Sequence, residues 1–230
     1  MATEWILLFD IDGTLLLTGG AGTAGMRRAM FKLFGATDLP DIPMSGRTDF
    51  AISRDYLQGL GLPFERYYHS LRHMYVRELA AELAVRRGRL LPGVTRLLDE
   101  LQVDERFQLG LLTGNGAQAA SLKLDTFGIQ HHFAFGGFGD WCADRADVAR
   151  LSWRAARQAA SAYDAGLQAV VIGDTPADIE CARAIGARVL AVATGGFTSS
   201  QLAASKPDWL VENLGNVTAT TLEDWLGQPG

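Results

Sequence analysis

"LLFDIDGTLLLTGGAGTAG", residues 7–25, holds two signatures that ask for different chemistry. Its first half sets Asp10 and Asp12 at the end of an apolar run, where a carboxylate pair can meet phosphate and metal. Its second half spells G-x-G-x-x-G through Gly20, Gly22 and Gly25, the glycine spacing of dinucleotide-binding turns. A dinucleotide fingerprint starts in the turn directly after its strand and leads through one helix to a second strand bearing an acid. Here the strand ends near Ile11, Gly20 comes nine residues later, and the next helix runs into "ATDLPDIPMSGRTD" (36–49), which is no strand. The glycines therefore read as the flexible approach to an inserted segment and hinge of a lid. Asp10 and Asp12 carry the chemistry.

Working outward, "WILLFDI" (5–11) is a continuous apolar run of strand length, as expected of a strand covered on both faces. Similar runs recur at 107–113, 169–174 and 188–194, with a weaker one at 208–214 and a further strand expected in "HFAFGGFG" (132–139). Helical periodicity fills 93–103, 116–127, 145–162 and 176–185 between them. This alternation predicts an α/β fold with a doubly wound, Rossmann-like parallel sheet, whose ligands sit at the carboxyl ends of the strands. Residues 18–90 break the alternation. No strand-like run occurs there; three helices are expected, closed by Gly35, by Gly59 or Gly61, and by Gly88. The last carries an apolar stripe of Phe64, Tyr67, Tyr68, Leu71, Tyr75, Leu79 and Leu83. The expected organisation is an α/β core of residues 1–17 and 91–230, with an all-helical cap domain of residues 18–90 inserted beside the site.

The chain has 230 residues, 48% hydrophobic and 20% charged, with a net charge of −5. That balance excludes disorder and offers no general grip on nucleic-acid phosphates, so no nucleic-acid partner is expected. Cys142 and Cys181 have no metal-like spacing, which fits a reducing cytoplasm. The N-terminal apolar run is broken by Asp10 and Asp12, too soon for a membrane span, and lacks the flanks of a targeting signal.

Asp10 and Asp12, two apart on extended chain, project to the same side just beyond the strand end. Carboxylates so close repel unless a divalent cation or a shared proton intervenes. Gly13 permits a sharp turn and Thr14 adds a hydroxyl; the plain alternative is a simple Asp-Gly turn. Thr113, Gly114 and Asn115, between a strand and a helix, form an anion site of free amides and a hydroxyl, or merely a capped turn. Asp174 ends a buried strand, a costly place for an unpaired charge, and is read as a metal ligand. Asp178 lies three residues after Thr175 in a capping-box arrangement, which makes it structural or an orienting neighbour of the metal. His69 and His73, four apart on a helix, have no third ligand and read as a surface or packed pair.

Together "FDIDGTLL", "LLTGN" and "VIGDTPADI", in that order and spacing, resemble the haloacid dehalogenase superfamily, in particular its phosphatases of the phosphoglycolate phosphatase type. The resemblance implies a Mg²⁺-dependent hydrolase of a small phosphate ester. Asp10 is then the nucleophile that forms an aspartyl-phosphate, and Asp12 the general acid and base. Asp10, the backbone carbonyl of Asp12, Asp174 and neighbouring Asp178 would bind Mg²⁺, while Gly13, Thr14, Thr113 and the amides of Gly114 and Asn115 surround the phosphoryl group. These enzymes usually place a lysine between the second and third motifs, yet residues 128–173 contain none. Arg145, in the stretch where that lysine is expected, is the chosen replacement. Arg47, in "SGRTDF" (45–50), resembles the substrate loop of this group and can meet a carboxylate or second phosphate; the plain alternative is that Thr48 and Asp49 merely cap the helix that follows. Two rival readings share these residues: an intramolecular sugar phosphomutase, and a non-catalytic phosphate-binding or receiver-like domain. Dehalogenation is disfavoured, since a halide-displacing relative has no use for an acid at Asp12 or a metal at Asp174.

Overall fold

A computed structural model describes residues 5–160 and 166–227. In chain order its strands are β1 (Trp5–Phe9), β2 (Leu16–Leu17), β3 (Arg89–Leu90), β4 (Phe107–Leu112), β5 (Phe135–Gly137), β6 (Gln168–Gly173), β7 (Arg188–Val192) and β8 (Trp209–Val211). Its helices are α1 (Ala21–Phe34), α2 (Asp49–Gly59), α3 (Phe64–Val85), α4 (Val94–Gln102), α5 (Ala117–Thr126), α6 (Arg145–Ala159), α7 (Pro176–Ala184), α8 (Ser199–Ala204) and α9 (Ala219–Leu226). Six strands form one parallel sheet in the order β5-β4-β1-β6-β7-β8. The last two residues expected of the helix at 145–162 lie outside the described residues.

β1 is unbroken in hydrophobicity because it has no wet face. Ile6 and Leu8 enter one core layer with Val148, Val171 and Ile179, while Leu7 and Phe9 enter the opposite layer with Leu97, Leu98 and Leu124. Full burial of each such side chain contributes roughly 1.5–3 kcal/mol, which fixes the strand as the central rod of the sheet. From β1 the sheet grows toward β4 and β5 on one side and toward β6, β7 and β8 on the other. Strand order therefore reverses beside β1, and the crevice of a doubly wound sheet opens at such a point.

Between β1 and β4 the chain builds the helices α1, α2 and α3, which share a separate core of Met26, Met30, Tyr56, Leu57, Leu71 and Leu79. Gly22 and Gly25 stand inside α1 and not in a flexible approach to it. The reason is packing: a Cβ on Gly25 would lie 3.0 Å from the Leu79 backbone, so this glycine lets α1 and α3 close together. The turn itself is made by Gly19 and Gly20, both at positive φ. One strand pairing departs from the expectation of an all-helical insert. β2 and β3 pair antiparallel, Leu16 opposite Leu90 and Leu17 opposite Arg89, and so tie together the two chain crossings between sheet and insert. Two-residue strands are too short to leave an alternating pattern. Gly88 does not close α3, which ends at Val85 with Arg86 extended; a Cβ there would stand 2.6 Å from the Leu17 carbonyl across the ribbon. No helix among the described residues is long and apolar enough to cross a membrane.

Candidate active site

Four strand ends converge beneath the inserted helices. Asp10 follows β1, Thr113 follows β4, Asp174 follows β6 and Thr194 follows β7, and all four line one cavity of about 440 Å³. The same cavity is lined by Asp12, Gly13, Gly114, Asn115, Arg145 and, from the insert, Arg47. Nine of the site residues singled out in the sequence thus line one space, and Asp178 is buried beside it. Thr14 does not line it: its hydroxyl donates to Oδ1 of Asp174 at 3.0 Å.

Gly13 has φ +86, and a Cβ there would stand 2.4 Å from Oδ2 of Asp174. The turn after β1 can therefore fold over Asp174 only with glycine at this position. Carboxylate oxygens of Asp10, Asp174 and Asp178 lie within 4.8 Å of one another, and all three residues are buried. Burial above all, and then the neighbouring carboxylates, pushes the pKa of Asp10 and of Asp174 well above the ordinary range. Asp178 is held by two sets of partners. It accepts from the backbone N–H of Thr175 at 3.0 Å and from the Thr175 hydroxyl at 2.7 Å, completing the capping box of α7, and it also receives Nη2 of Arg145.

Arg145 is the first residue of α6, whose N-cap is Asp144. It is nearly buried, and Nη2 lies 3.5 Å from Oδ1 of Asp10 as well as on Asp178. Its Nη1 faces the turn after β4, where a Cβ on Gly114 would stand 3.2 Å away. The guanidinium thus lies between the acidic cluster and the anion loop. In that loop Thr113 Oγ1 accepts from the backbone N–H of Asn115 at 3.3 Å and from Nδ2 of Asn115 at 2.8 Å. Both contacts use the oxygen as acceptor and leave its proton to donate to a ligand.

The insert touches this loop directly. The N–H of Asp49 donates to the Gly114 carbonyl at 2.7 Å, the N–H of Phe50 donates to Gly139 at 3.1 Å, and Oδ2 of Asp49 accepts from the N–H of Gly116 at 2.8 Å. A Cβ on Gly114 would stand 2.0 Å from the carbonyl oxygen of Arg47, so only glycine admits the insert this close. Farther out, Arg72 of α3 lies 2.8 Å from Asp140 and 5.4 Å over the ring of Trp141. Trp141 packs on Tyr68 and His69 of the insert and does not line the cavity.

With this geometry in place, comparison with known proteins identifies the chain. The family model described as haloacid dehalogenase-like hydrolase matches residues 6–186. The chain belongs to that family. Over 215 residues it is 26% identical to a phosphoglycolate phosphatase of Nitrosococcus oceani, covering 91% of this chain and 92% of the relative. A phosphoglycolate phosphatase of Synechococcus elongatus is 34% identical over 126 residues, 54% of this chain and 55% of that one. Among solved structures, CbbY from Rhodobacter sphaeroides in complex with phosphate superposes with a TM-score of 0.71 at 18% identity, over 96% of this chain and 99% of that one. A haloacid dehalogenase-like family protein from Streptococcus pneumoniae gives 0.62 at 23% identity, over 93% and 95%. The α/β sheet with helices inserted after its first strand is the fold of that group, and the chain is a haloacid dehalogenase-like hydrolase with distant phosphoglycolate phosphatase relatives.

In this hydrolase the buried Asp10, Asp174 and Asp178 fit a divalent cation on the chemistry of the donors alone. Three hard carboxylate oxygens converge, and Arg145 is the only cation paired with them among the described residues. Mg²⁺ prefers such oxygen donors and keeps part of its water shell.

Among the cavity residues to which the sequence reading gave no part in the chemistry are Lys123, Asp49 and Tyr75. Nζ of Lys123 lies 2.6 Å from Oδ2 of Asp12 and 2.6 Å from Oδ1 of Asn115. Its signal was its place in α5, where Ala119, Ala120, Lys123 and Leu124 form the buried face. A lysine in register with a buried stripe has to find an anion. Asp49 was read only as a helix-capping residue; burial raises its pKa to about 6, against the opposing pull of Lys123.

Proposed function

We propose that this hydrolase cleaves a small phosphomonoester, of the phosphoglycolate type or a related metabolite, through an aspartyl-phosphate on Asp10. The observation that carries this reading is the place of Asp10, held at the end of β1 within reach of Asp174, Asp178 and Arg145 and across the cavity from Thr113 and Gly114. A carboxylate that attacks a phosphate dianion needs its charge screened and the phosphoryl oxygens held by fixed donors. Arg145, the Thr113 hydroxyl and the backbone amide of Gly114 supply the donors from the protein; the Asn115 and Gly116 amides are turned to Thr113 and Asp49. Mg²⁺ held by Asp10, the carbonyl of Asp12 and Asp174, with Asp178 alongside, would supply the remaining screening when bound.

Asp12 stands two residues beyond the nucleophile and is partly open to the cavity. In the first half-reaction it donates a proton to the departing ester oxygen as the P–O bond breaks and the Asp10–phosphorus bond forms. In the second it takes a proton from the water that hydrolyses the acyl phosphate, which frees phosphate and restores Asp10. The helical insert, residues 18–90, acts as the cap that shields this exchange and presents Arg47 to the part of the substrate beyond phosphorus.

Release of inorganic phosphate from p-nitrophenyl phosphate and from a panel of phosphorylated metabolites tests the reading. Turnover that needs Mg²⁺, stops with a chelator and is abolished in D10N supports it. Conversion of a sugar phosphate to its isomer without release of phosphate would show a mutase. Phosphorylation of Asp10 without turnover would show a receiver-like domain.

A further inference from the structure

Lys123 is the one buried cation of the cavity that neither the nucleophile nor the acidic cluster uses, among the described residues. It is 3% exposed, so its ammonium is delivered through packed surroundings to a chosen place. That place is a triangle. Nζ donates to Oδ2 of Asp12 and to Oδ1 of Asn115, both at 2.6 Å, while Nδ2 of Asn115 donates to the same Asp12 oxygen at 2.8 Å. Asn115 is fixed in turn by its second contact, from Nδ2 to Thr113 Oγ1 at 2.8 Å. Two donors therefore converge on a single oxygen of Asp12, and its other oxygen has no protein donor among the described residues.

A carboxylate held by one oxygen keeps a fixed direction, because the fork cannot turn without breaking both contacts. Both donors belong to one segment, residues 113–123, which is also the segment that faces the phosphoryl group. Arg145 serves Asp10 and Asp178 and stands on the other side of the nucleophile. The division of labour between the two cations is spatial: the arginine meets the attacking carboxylate, the lysine the carboxylate beside it.

We propose that Lys123, with Asn115, is a positioning residue that aims the free oxygen of Asp12 at the ester oxygen of the leaving group. This rests on the reading of Asp12 as proton donor. Positioned proton transfer contributes about 10²–10⁴-fold, and its share falls as the leaving group becomes able to depart as an anion. A lysine that only supports the fold would show no such dependence on the leaving group.

The test is kcat/KM for phenyl phosphate and for p-nitrophenyl phosphate, at one fixed Mg²⁺ concentration, in wild type, K123M and D12N. The two esters have nearly the same shape, but phenol, like the tyrosine side chain with its pKa of about 10, is the more basic leaving group. kcat/KM reports the steps up to the first irreversible one, here transfer to Asp10. In K123M the loss on phenyl phosphate is expected to exceed that on p-nitrophenyl phosphate by roughly tenfold, with D12N skewed the same way and further. Equal losses on both esters, no loss, or a gain on phenyl phosphate overturns the proposal. If K123M proves unfolded by circular dichroism, N115A, which removes the second donor to the same oxygen, carries the comparison with the same skew expected. Wild type that cleaves neither ester would overturn the phosphatase reading and the clamp with it; an active wild type without the skew overturns the clamp alone.

Discussion

Nη2 of Arg145 reaches Asp178 and, at 3.5 Å, Oδ1 of Asp10, so one guanidinium nitrogen joins the end of β1 to the first turn of α7. The resemblance leads one to expect a lysine in this stretch, and an arginine differs from one in kind. A lysine brings a single point charge, while the fork can hold carboxylates with one nitrogen and offer the other to a phosphoryl oxygen beside Gly114. R145K is therefore expected to keep the fold and lose roughly 10–100-fold in kcat/KM, and R145A about 10²–10³-fold, the range seen when one preorganised donor to a reacting group is removed. R145A also leaves Asp10 and Asp178 buried without a counter-charge. Its melting temperature should fall, and steady-state kinetics with a thermal melt of each variant checks both effects.

Burial and mutual repulsion raise the pKa of Asp10 and Asp174, so the cluster stores a cost that a divalent cation relieves. Binding to the folded chain then stabilises it. At a Mg²⁺ concentration 100 times the dissociation constant the gain is about 2.7 kcal/mol, or roughly 5–11 °C in Tm for a chain of this size. The shift should vanish in D174N while Na⁺ at equal ionic strength leaves wild type unmoved. Differential scanning fluorimetry with and without a chelator reads it, and an equal shift in D174N would show the cation bound elsewhere.

Much of this site was legible because a parallel sheet presents its chemistry at strand ends, and strand ends in apolar runs are easy to see. Asp10, Thr113 and Asp174 each stand one residue past such a run. Arg145 was found by position in the motif order. Lys123 was missed because its partner lies 111 residues away, and only the folding of α5 against the cavity brings the two together. The β2–β3 ribbon was missed for a local reason, since four residues carry no periodicity. The G-x-G-x-x-G spacing was read as a flexible approach, and its use in packing became visible only with the backbone of Leu79 3.0 Å from where a Gly25 Cβ would be.

The pairing of α1 with α3 should be sensitive to acid. Glu78 receives Lys32 Nζ at 2.6 Å and Arg28 Nε at 3.2 Å, and its pKa is lowered, first by the hydrogen bond from Lys32. A folded-state pKa below the unfolded one means that the unfolded chain takes up its proton first as pH falls. The contribution is thus complete above the ordinary glutamate value of about 4.3 and is lost as pH drops through the lower folded value. Arg28 and Lys32 are half-exposed, so the pairs contribute on the order of 1 kcal/mol, which is about 2–4 °C in Tm. E78Q should melt below wild type at pH 7, and the gap should shrink below pH 4.5 or so. A gap that is constant from pH 7 to pH 3 would refer the loss to packing alone.

Arg47 is held ready and not committed. Its Nη2 lies 2.6 Å from Asp55 and its Nη1 donates weakly to the carbonyl of Pro43 at 3.3 Å, and the side chain is part-exposed at the cavity wall. A partly screened pair of this kind contributes at most about 1 kcal/mol, so an anionic group on a substrate can compete for the guanidinium. If Arg47 recognises such a group, R47A raises KM roughly 10–100-fold for an ester that bears a second anion and leaves kcat within about threefold, the pattern of lost uniform binding. For p-nitrophenyl phosphate, which has no second anion, neither constant should move by more than about twofold. Because the main-chain contact of Arg47 with Gly114 is untouched by the substitution, a loss on both esters alike would mean that the side chain seats the cap and does not read the substrate.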